Sequence, residues 1–385
     1  MSAAFEQAWA DINDRYYDAA HENRDWQQIG AKYRAYLPSI AGPRDLERLL
    51  AAMFGELSAS HLFTDMTAPD PALVGMGTQN DALGIYLDND YTGAGRKIAA
   101  ILPGGPLDRQ KLNIGTGDII TSINGQPVPE AGGIDRLLDI NAGRRVVVGV
   151  ADNSDNGERL IEVTPIHWSD ELILASKNLS ATRRAMVSKL SRQCIVYQSL
   201  DAMDNDNYLS LLGTLISQRG LAKAALIDVR SNNGGNLTRE LITLLSGTPA
   251  FSYGVDDRPR EDGPDNVWLW PSAVLVDSFS YSDGSIFPQA YQDRKLGKVI
   301  GDVLLNTGTA VTTVNSKIVP GLQYRFPVLP YRHADGRKYE NGIITPDIVV
   351  EFDPNRYSMT SDPQLEAAVA SLMQDIGADS DCRDN

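Results

Sequence analysis

Three short polar segments of the sequence carry the residue types that nucleophilic catalysis needs. The first is Ser60-His61, a serine–histidine pair that follows a stretch of apolar residues at helical spacing. An imidazole can act as a general base near neutral pH, because its ordinary pKa is about 6.5. A histidine at a helix end is also commonly a cap or a packed residue. Both interpretations of His61 stay open at this point.

The second segment runs from Asp228 to Asn236 and places a double glycine after an apolar run. Gly234 and Gly235 can adopt backbone conformations that are closed to other residues, and can turn N–H groups toward a ligand. Such a turn can hold the oxyanion of an acyl-transfer reaction. It can equally be an ordinary connection between a strand and a helix.

The third segment, Asp277–Gly284, also reads as strand, turn and helix start, and it contains three serines. A serine at this junction has its hydroxyl beside the unpaired N–H groups of a helix N-terminus. Ser278, Ser280 and Ser282 all fit that position. Serines at helix starts are commonly N-caps, so a nucleophile is one of two interpretations.

The remaining reactive side chains predict no metal site and no cofactor. His21, His167 and His333 show no ligand spacing and are interpreted as structural or surface residues. Two cysteines are too few for a disulfide scaffold or a thiolate zinc site. Cys194 lies in an apolar run and is predicted to be a buried thiol, whereas Cys382 lies in a polar tail.

Composition excludes some classes of partner. The 385 residues include 35 Lys and Arg against 50 Asp and Glu, a net charge of −15, which argues against nucleic acid or an anionic membrane. No apolar run approaches the roughly 18 residues of a membrane span. Residues 1–15 contain acidic residues and lack the apolar core of a signal peptide. The compartment stays open: cytoplasmic for the chain as given, periplasmic if a leader has been removed.

The elements that position these segments divide the sequence into three predicted domains and a tail. Apolar residues at helical steps predict a helical domain over residues 1–66, with a linker at Thr64–Pro71. Short β-rich runs separated by Gly and Pro predict a β domain over residues 75–166. Alternating strands and helices predict an α/β core over residues 170–375, and residues 376–385 form a polar tail.

The β domain resembles a PDZ domain. The resemblance rests on Pro103-Gly-Gly-Pro106, on the helical run Gly133–Ile140, and on Gly115–Gly125, a glycine turn and strand ending in the hairpin signal Asn-Gly. Leu83, Gly84 and Ile85 then occupy the place of the carboxylate-binding loop, whose N–H groups hold a peptide C-terminus in PDZ domains. A small β domain without a ligand is the alternative.

Taken together and in order, the segments resemble the catalytic half of the tricorn-like serine peptidases, in the clan of carboxy-terminal-processing peptidases. The motifs that carry the resemblance are Ala8-Trp9, Tyr16-Tyr17-Asp18, Asp25-Trp26, Lys32-Tyr33, Leu37-Pro38, Gly55-Glu-Leu, Ser60-His61, Asp228–Gly235, Tyr281–Gly284 and Glu340–Asp347. The resemblance implies a multidomain α/β and α+β fold: a helical domain, a PDZ-like β domain and an α/β core of the crotonase/Clp-protease type.

The same resemblance implies roles for individual residues. It selects Ser282 over Ser278 and Ser280 as the nucleophile and His61 as the general base. Ser60 and Glu340 would orient and polarise the imidazole, which completes a catalytic tetrad. The backbone N–H groups of Gly234 and Asp283 would form the oxyanion hole.

Departures from the clan's pattern refine these expectations. Relatives with a serine–lysine dyad carry a lysine about two dozen residues after the serine, but residues 302–309 contain none. Lys295 and Lys298 lie too close to Ser282 to match, so the histidine arrangement is favoured. Asn233 stands where the family has the first glycine of its turn. The β-propellers that precede the catalytic half in tricorn are absent from the sequence, so its assembly cannot be transferred.

Three functions follow as hypotheses. The first is a serine peptidase that acts on peptides or proteins through an acyl-enzyme. An esterase or small-amide hydrolase at the same site is the second, and a non-catalytic peptide-binding protein that uses the PDZ-like domain is the third. A homo-oligomer remains open in all three.

Overall fold

The structure is a computed structural model that describes residues 1–67, 81–129, 133–139, 143–152, 157–247, 251–255, 258–263, 267–357, 361–377 and Cys382. The chain divides into two compact units. Met1–Pro69 together with Arg183–Asn385 form the first unit, and Asp70–Thr182 form the second.

Helices and strands are distributed over both units of the described chain. The α-helices are α1 (Ser2–Arg15), α2 (Trp26–Arg34), α3 (Pro43–Phe54), α4 (Ile134–Asp139), α5 (Trp168–Leu190), α6 (Asn205–Ser217), α7 (Thr238–Leu245), α8 (Asp283–Asp293) and α9 (Pro363–Ile376). The strands are β1 (Phe63–Met66), β2 (Asp81–Ala82), β3 (Ile85–Leu87), β4 (Arg96–Ile101), β5 (Ile119–Ile123), β6 (Gln126–Pro127), β7 (Val146–Ala151), β8 (Glu158–Val163), β9 (Ile166–His167), β10 (Ile195–Ser199), β11 (Ala224–Asp228), β12 (Phe251–Val255), β13 (Arg258–Gly263), β14 (Ser272–Val276), β15 (Lys298–Gly301), β16 (Leu304–Leu305), β17 (Thr309–Asn315), β18 (Leu322–Pro330), β19 (Ile343–Ile344) and β20 (Ile348–Val349).

A five-stranded parallel sheet, in the order β10-β11-β14-β15-β20, forms the centre of the first unit. Every residue of β11 and β14 is buried, as expected of parallel strands that are covered on both faces. Apolar side chains of α6, α7 and α8 pack on one face, and those of α9 and the end of α5 pack on the other. The turns after β11 and β14 therefore lie side by side at the carboxyl edge of the sheet, where open α/β sheets bind ligands.

The N-terminal helices of the first unit pack on a three-stranded antiparallel sheet, β1-β18-β17. Apolar residues of α1 and α3 share one cluster with Tyr324 and Phe326 of β18, which are fully buried. The predicted linker is wrong in its first residues, because Thr64–Met66 belong to β1, which pairs with β18. Met66 is buried in the same cluster, so this short edge strand joins the helices to the sheet.

The second unit is built around a sheet in the order β3-β4-β5-β7-β8, with β6 paired to β5. Asn124 and Gly125 both have positive φ, 49° and 77°, and connect β5 to β6. This tight hairpin confirms the turn that the Asn-Gly pair predicts. Leu83, Ile98, Ile120 and Val148 are among the residues of its apolar core.

The two cysteines form a disulfide, with Cα atoms 5.2 Å apart. Cys194 is buried as predicted, but the prediction of a free thiol is wrong. The cysteines are 188 residues apart, so only the folded chain brings the tail residue to the start of β10. No helix among the described residues combines the length and apolarity needed to cross a membrane.

Candidate active site

The turn that carries Ser60 and His61 connects α3 to β1 and is held by its polar backbone groups. The Ser60 N–H donates to Glu340 Oε1 at 2.8 Å, and the Ser60 carbonyl accepts from the Tyr281 hydroxyl at 2.6 Å. The His61 ring also packs on the Tyr281 ring, with centroids 4.9 Å apart. The imidazole is buried in this position.

Ser282 occupies a strained turn between β14 and α8. Its φ is 55° and its ψ is −126°, a combination that non-glycine residues rarely adopt and that clusters at functional sites. Its N–H donates to Thr307 Oγ1 at 2.6 Å, and its carbonyl accepts from Ser285 Oγ at 2.9 Å. These bonds hold the backbone so that the Ser282 side chain points to His61.

The structure brings Ser282, His61 and Ser60 into one line of hydrogen bonds. His61 Nε2 lies 2.9 Å from Ser282 Oγ, and His61 Nδ1 lies 2.8 Å from Ser60 Oγ. Thr309 Oγ1 is a second neighbour of Nδ1, at 3.2 Å. Both hydroxyls can accept a hydrogen bond from a protonated Nδ1, and in that tautomer Nε2 is unprotonated and can accept the proton of Ser282.

The environment of His61 keeps the imidazole neutral at ordinary pH. Burial, and secondarily the Arg325 guanidinium, lower the pKa of His61 from 6.5 to about 4. A positive charge in a desolvated site is unfavourable, so the resting ring is an unprotonated base.

Glu340 lies at the far end of the line, beyond Ser60. One carboxylate oxygen accepts the Ser60 N–H at 2.8 Å, and the hydroxyls of Ser60 and Thr309 also hydrogen-bond to the carboxylate. Burial raises the pKa of Glu340 above its ordinary value. Burial thus makes the carboxylate charge costly, and the hydrogen bonds from Ser60 and Thr309 act in the opposite direction.

Gly234 is pressed against the serine turn, because a Cβ on Gly234 would lie 2.5 Å from the Ser282 Cβ. Only glycine permits this approach, and its φ of +91° also favours glycine. The Gly234 N–H, however, already donates to Asn232 Oδ1 at 2.8 Å. In this conformation the predicted oxyanion donor is satisfied within its own turn.

Asp283 contributes in two directions from the first position of α8. Its carboxylate accepts the N–H groups of Leu237, at 2.5 Å, and Thr238, at 3.0 Å, and so caps the N-terminus of α7. Its backbone N–H has no hydrogen-bond partner in the part of the chain that is described. That N–H lies at a helix N-terminus, where anions are favoured.

Three side chains of this site were missed by sequence reasoning: the Tyr281 hydroxyl and the hydroxyls of Thr307 and Thr309. Both threonines lie in the segment that was searched for a lysine base. A run of small polar residues between apolar strands is the signal that points to them. Lys298, one of the lysines considered, bonds instead to Ser371 at 3.0 Å.

The predicted peptide-binding loop lies in the second unit. Leu83 is buried in the apolar core, Gly84 has a φ of +70°, and Ile85 begins β3. The Gly84 N–H hydrogen-bonds to the Glu171 carboxylate. A carboxylate of the chain itself therefore accepts a hydrogen bond from an N–H group that the loop would offer to a peptide C-terminus.

The other histidines have structural contacts. His21 is stacked between Tyr16 and Trp26, His167 bonds to Ser169, and His333 pairs with Asp293. Among the described residues, no group of His, Cys, Asp or Glu could hold a metal ion.

Three family models match the chain in succession. Residues 2–55 match the tricorn protease C1 domain, residues 83–168 match the tricorn protease PDZ domain, and residues 195–350 match peptidase family S41. This succession of matches confirms the resemblance to the tricorn-like peptidases and the predicted fold class.

Individual relatives agree with these matches. A tricorn protease homolog of Streptomyces coelicolor is 26% identical over 95% of this chain and 34% of its own length. The tricorn protease of Thermoplasma volcanium is 25% identical over 97% of this chain and 36% of its own length. A crystal structure of the tricorn protease superposes with a TM-score of 0.75 at 22% identity, covering 97% of this chain and 36% of that one. The chain thus spans about a third of the length of the relatives it matches.

Proposed function

We propose that this tricorn-like chain hydrolyses peptide bonds through an acyl-enzyme on Ser282, with His61 as the general base. The observation that carries the proposal is the 2.9 Å distance between His61 Nε2 and Ser282 Oγ, with Nδ1 held by hydroxyls. A serine hydroxyl becomes a competent nucleophile when an adjacent base removes its proton. The substrates are peptides or proteins.

In the acylation step, Ser282 Oγ attacks the carbonyl carbon while its proton passes to His61 Nε2. The tetrahedral intermediate collapses as the imidazolium gives that proton to the leaving amine. A water molecule then repeats the sequence on the acyl-enzyme, releases the acid and regenerates Ser282. The proton taken from Ser282 thus leaves on the amine, and the proton taken from water returns to Ser282.

Ser60 and Glu340 stabilise the imidazolium that exists only during these steps. The Ser60 hydroxyl accepts a hydrogen bond from Nδ1–H of the imidazolium. The buried Glu340 carboxylate supplies negative charge on the far side of Ser60. Their effect is greatest in the transition state, since the resting ring is neutral.

The Asp283 N–H is the readiest donor for the oxyanion, because it lies at the start of α8 and has no hydrogen-bond partner among the described residues. The Gly234 N–H remains the second proposed donor, and it would have to exchange Asn232 Oδ1 for the substrate oxygen. Each donor of an oxyanion hole contributes about 10²- to 10³-fold to the rate in known serine peptidases.

The decisive test replaces the nucleophile. Ser282→Ala is expected to abolish peptide hydrolysis and fluorophosphonate labelling while leaving the thermal unfolding temperature close to that of the wild type. Ser278→Ala is the matched control, because Ser278 lies in the same turn but is exposed. Hydrolysis that persists in the Ser282 variant contradicts the proposal.

Substrate profiling separates the peptidase from the esterase hypothesis, since both share the acyl-enzyme. A peptide library and a set of short-chain esters are compared by kcat/KM on the wild type. If the wild-type serine is not labelled at neutral pH, the non-catalytic binding hypothesis is favoured instead.

A further inference from the structure

Three consecutive residues ahead of α2 adopt left-handed backbone conformations. His21, Glu22 and Asn23 have φ values of 47°, 56° and 62°. None of them is glycine, so the segment is costly, and such strain persists only where surrounding contacts enforce it. The strain points to a side chain that must be held in one place.

That side chain is Glu22. Its Oε1 accepts the hydroxyls of Tyr16, at 3.0 Å, and Tyr17, at 2.6 Å, and its Oε2 accepts the N–H of Ser58 at 3.1 Å. Burial raises the pKa of both tyrosines, so they remain neutral donors to the carboxylate. The adjacent His21 ring is stacked between Tyr16 and Trp26, which locks the turn on which Glu22 stands.

Ser58 is the point where this network reaches the active site. Its N–H is held by Glu22, and its carbonyl accepts from Asn341 Nδ2 at 2.6 Å. Two residues later, Ser60 is held by Glu340 and Tyr281. The loop from Ser58 to His61 is thus fastened from the helical side by Glu22 and from the opposite side by residues 340 and 341.

We propose that Glu22 is a positioning residue that sets the loop carrying Ser60 and His61, and through it the distance from His61 to Ser282. This inference rests on the proposed function. Glu22 does not touch the reacting atoms: it holds the loop through the Ser58 peptide group, and its charge also raises the pKa of Glu340. Misplacement of a catalytic group by about 1 Å is enough to lower a rate about 100-fold.

The matched control is Glu56, a second carboxylate of the helical segment that also accepts a tyrosine hydroxyl. Tyr33 donates to Glu56 Oε1 at 2.9 Å, Lys32 pairs with the same carboxylate, and among the described residues Glu56 makes no hydrogen bond to residues 58–61. Removing Glu56 therefore costs a similar tyrosine–carboxylate contact without releasing the loop. Glu22→Gln is the conservative variant, because its amide oxygen can still accept the Ser58 N–H.

The experiment measures three quantities: the rate of fluorophosphonate labelling per active site, the kcat and KM for a peptide substrate, and the rate of amide hydrogen exchange in residues 58–61. Glu22→Ala is expected to lower kcat and the labelling rate about 10- to 100-fold with KM unchanged, and to speed exchange at Ser58. Glu22→Gln is expected to recover most of the rate. Glu56→Ala is expected to match the wild type in all three measurements.

The outcomes are distinguishable from those of the proposed function. If the wild type is not labelled, the proposed function fails, while faster Ser58 exchange in Glu22→Ala alone still supports the role of Glu22 in holding the loop. If Glu22→Ala loses only thermal stability, with rate per site and exchange equal to those of Glu56→Ala, the inference is overturned.

Discussion

At the scale of single residues, the site is organised around the protonation state of one buried imidazole. Ser60 and Thr309 place two hydroxyls at Nδ1, so the neutral ring has a natural acceptor for its proton on that side. The low pKa of His61 means that no proton has to leave before the reaction begins. The same burial makes the imidazolium costly, and we propose that the Glu340 carboxylate behind Ser60 offsets that cost.

The charge of Arg325 provides a test of this balance. Arg325 of β18 pairs with Phe63 of β1, and Phe63 follows His61 by two residues in the chain. The Arg325 guanidinium lowers the pKa of His61. Replacing it in Arg325→Gln removes a positive charge, so the pKa of His61 is expected to rise above about 4, while burial, the larger cause, still holds it below its ordinary value. The acidic limb of the kcat/KM profile should therefore move to higher pH.

The control for this measurement is Arg337→Gln, which removes an exposed guanidinium paired with Asp335. The acidic limb of its kcat/KM profile should coincide with that of the wild type.

The free energy of unfolding should depend on pH for the same reason. Because the pKa of His61 in the folded state lies below its unfolded value of 6.5, the unfolded state binds the proton first as pH falls. Unfolding free energy is then lost as pH falls from about 6.5 to about 4, and Arg325→Gln should narrow that window. An acidic limb that stays in place in Arg325→Gln contradicts the assignment.

At the scale of elements, the sequence predicted the strand–turn–helix units at the carboxyl edge of the parallel sheet better than the other elements discussed below. Continuous apolar runs predicted β11 and β14, and glycine or serine turns predicted the starts of α7 and α8. β1 was missed because it is a four-residue edge strand with polar residues on one side. The hairpin of β17 and β18 was missed because its function, covering the N-terminal helices, depends on contacts distant in sequence.

The loop at Gly84 yields a prediction for the second unit. The Glu171 carboxylate accepts the Gly84 N–H, so it would compete with a peptide C-terminus for that donor. Glu171→Ala is expected to raise the affinity for peptides with a free C-terminal carboxylate about tenfold, because the loop no longer has to release an internal ligand. Fluorescence anisotropy with paired free and amidated peptides measures the change.

Asp170→Ala is the control for the loop, since Asp170 is the neighbouring acid at the start of α5. It should leave peptide affinity unchanged. Equal affinities for free and amidated peptides in Glu171→Ala would show that the loop does not recognise a carboxylate.

At the scale of the whole molecule, the disulfide between Cys194 and Cys382 closes a span of 188 residues and anchors the C-terminal tail beside β10. Cross-links of long loops stabilise mainly by restricting the unfolded chain, typically by about 2–5 kcal/mol. A reducing agent is therefore expected to lower the thermal unfolding temperature of the wild type.

The double variant Cys194→Ala with Cys382→Ala should melt near the reduced wild type and show no further response to the reductant. Thermal unfolding with and without a phosphine reductant, together with thiol titration of the unreduced protein, provides the measurement. A wild-type melting temperature that the reductant leaves unchanged after full reduction contradicts the expected stabilisation.

Local patterns of the sequence determined the order of helical, β-rich and α/β regions and the short polar segments that hold His61 and Ser282, because periodicity and turn chemistry act within a few residues. The PDZ-like and tricorn-like types of these regions, and the role predicted for Glu340, came from the resemblance of the motifs to a known family. Only the tertiary structure decided that the Asn232 side chain accepts the Gly234 N–H, that the Thr309 hydroxyl lies at hydrogen-bond distance from His61 Nδ1, and that the two cysteines form a disulfide. Those contacts join residues by distance and direction in space, and neither quantity is written in the spacing of residues along the chain.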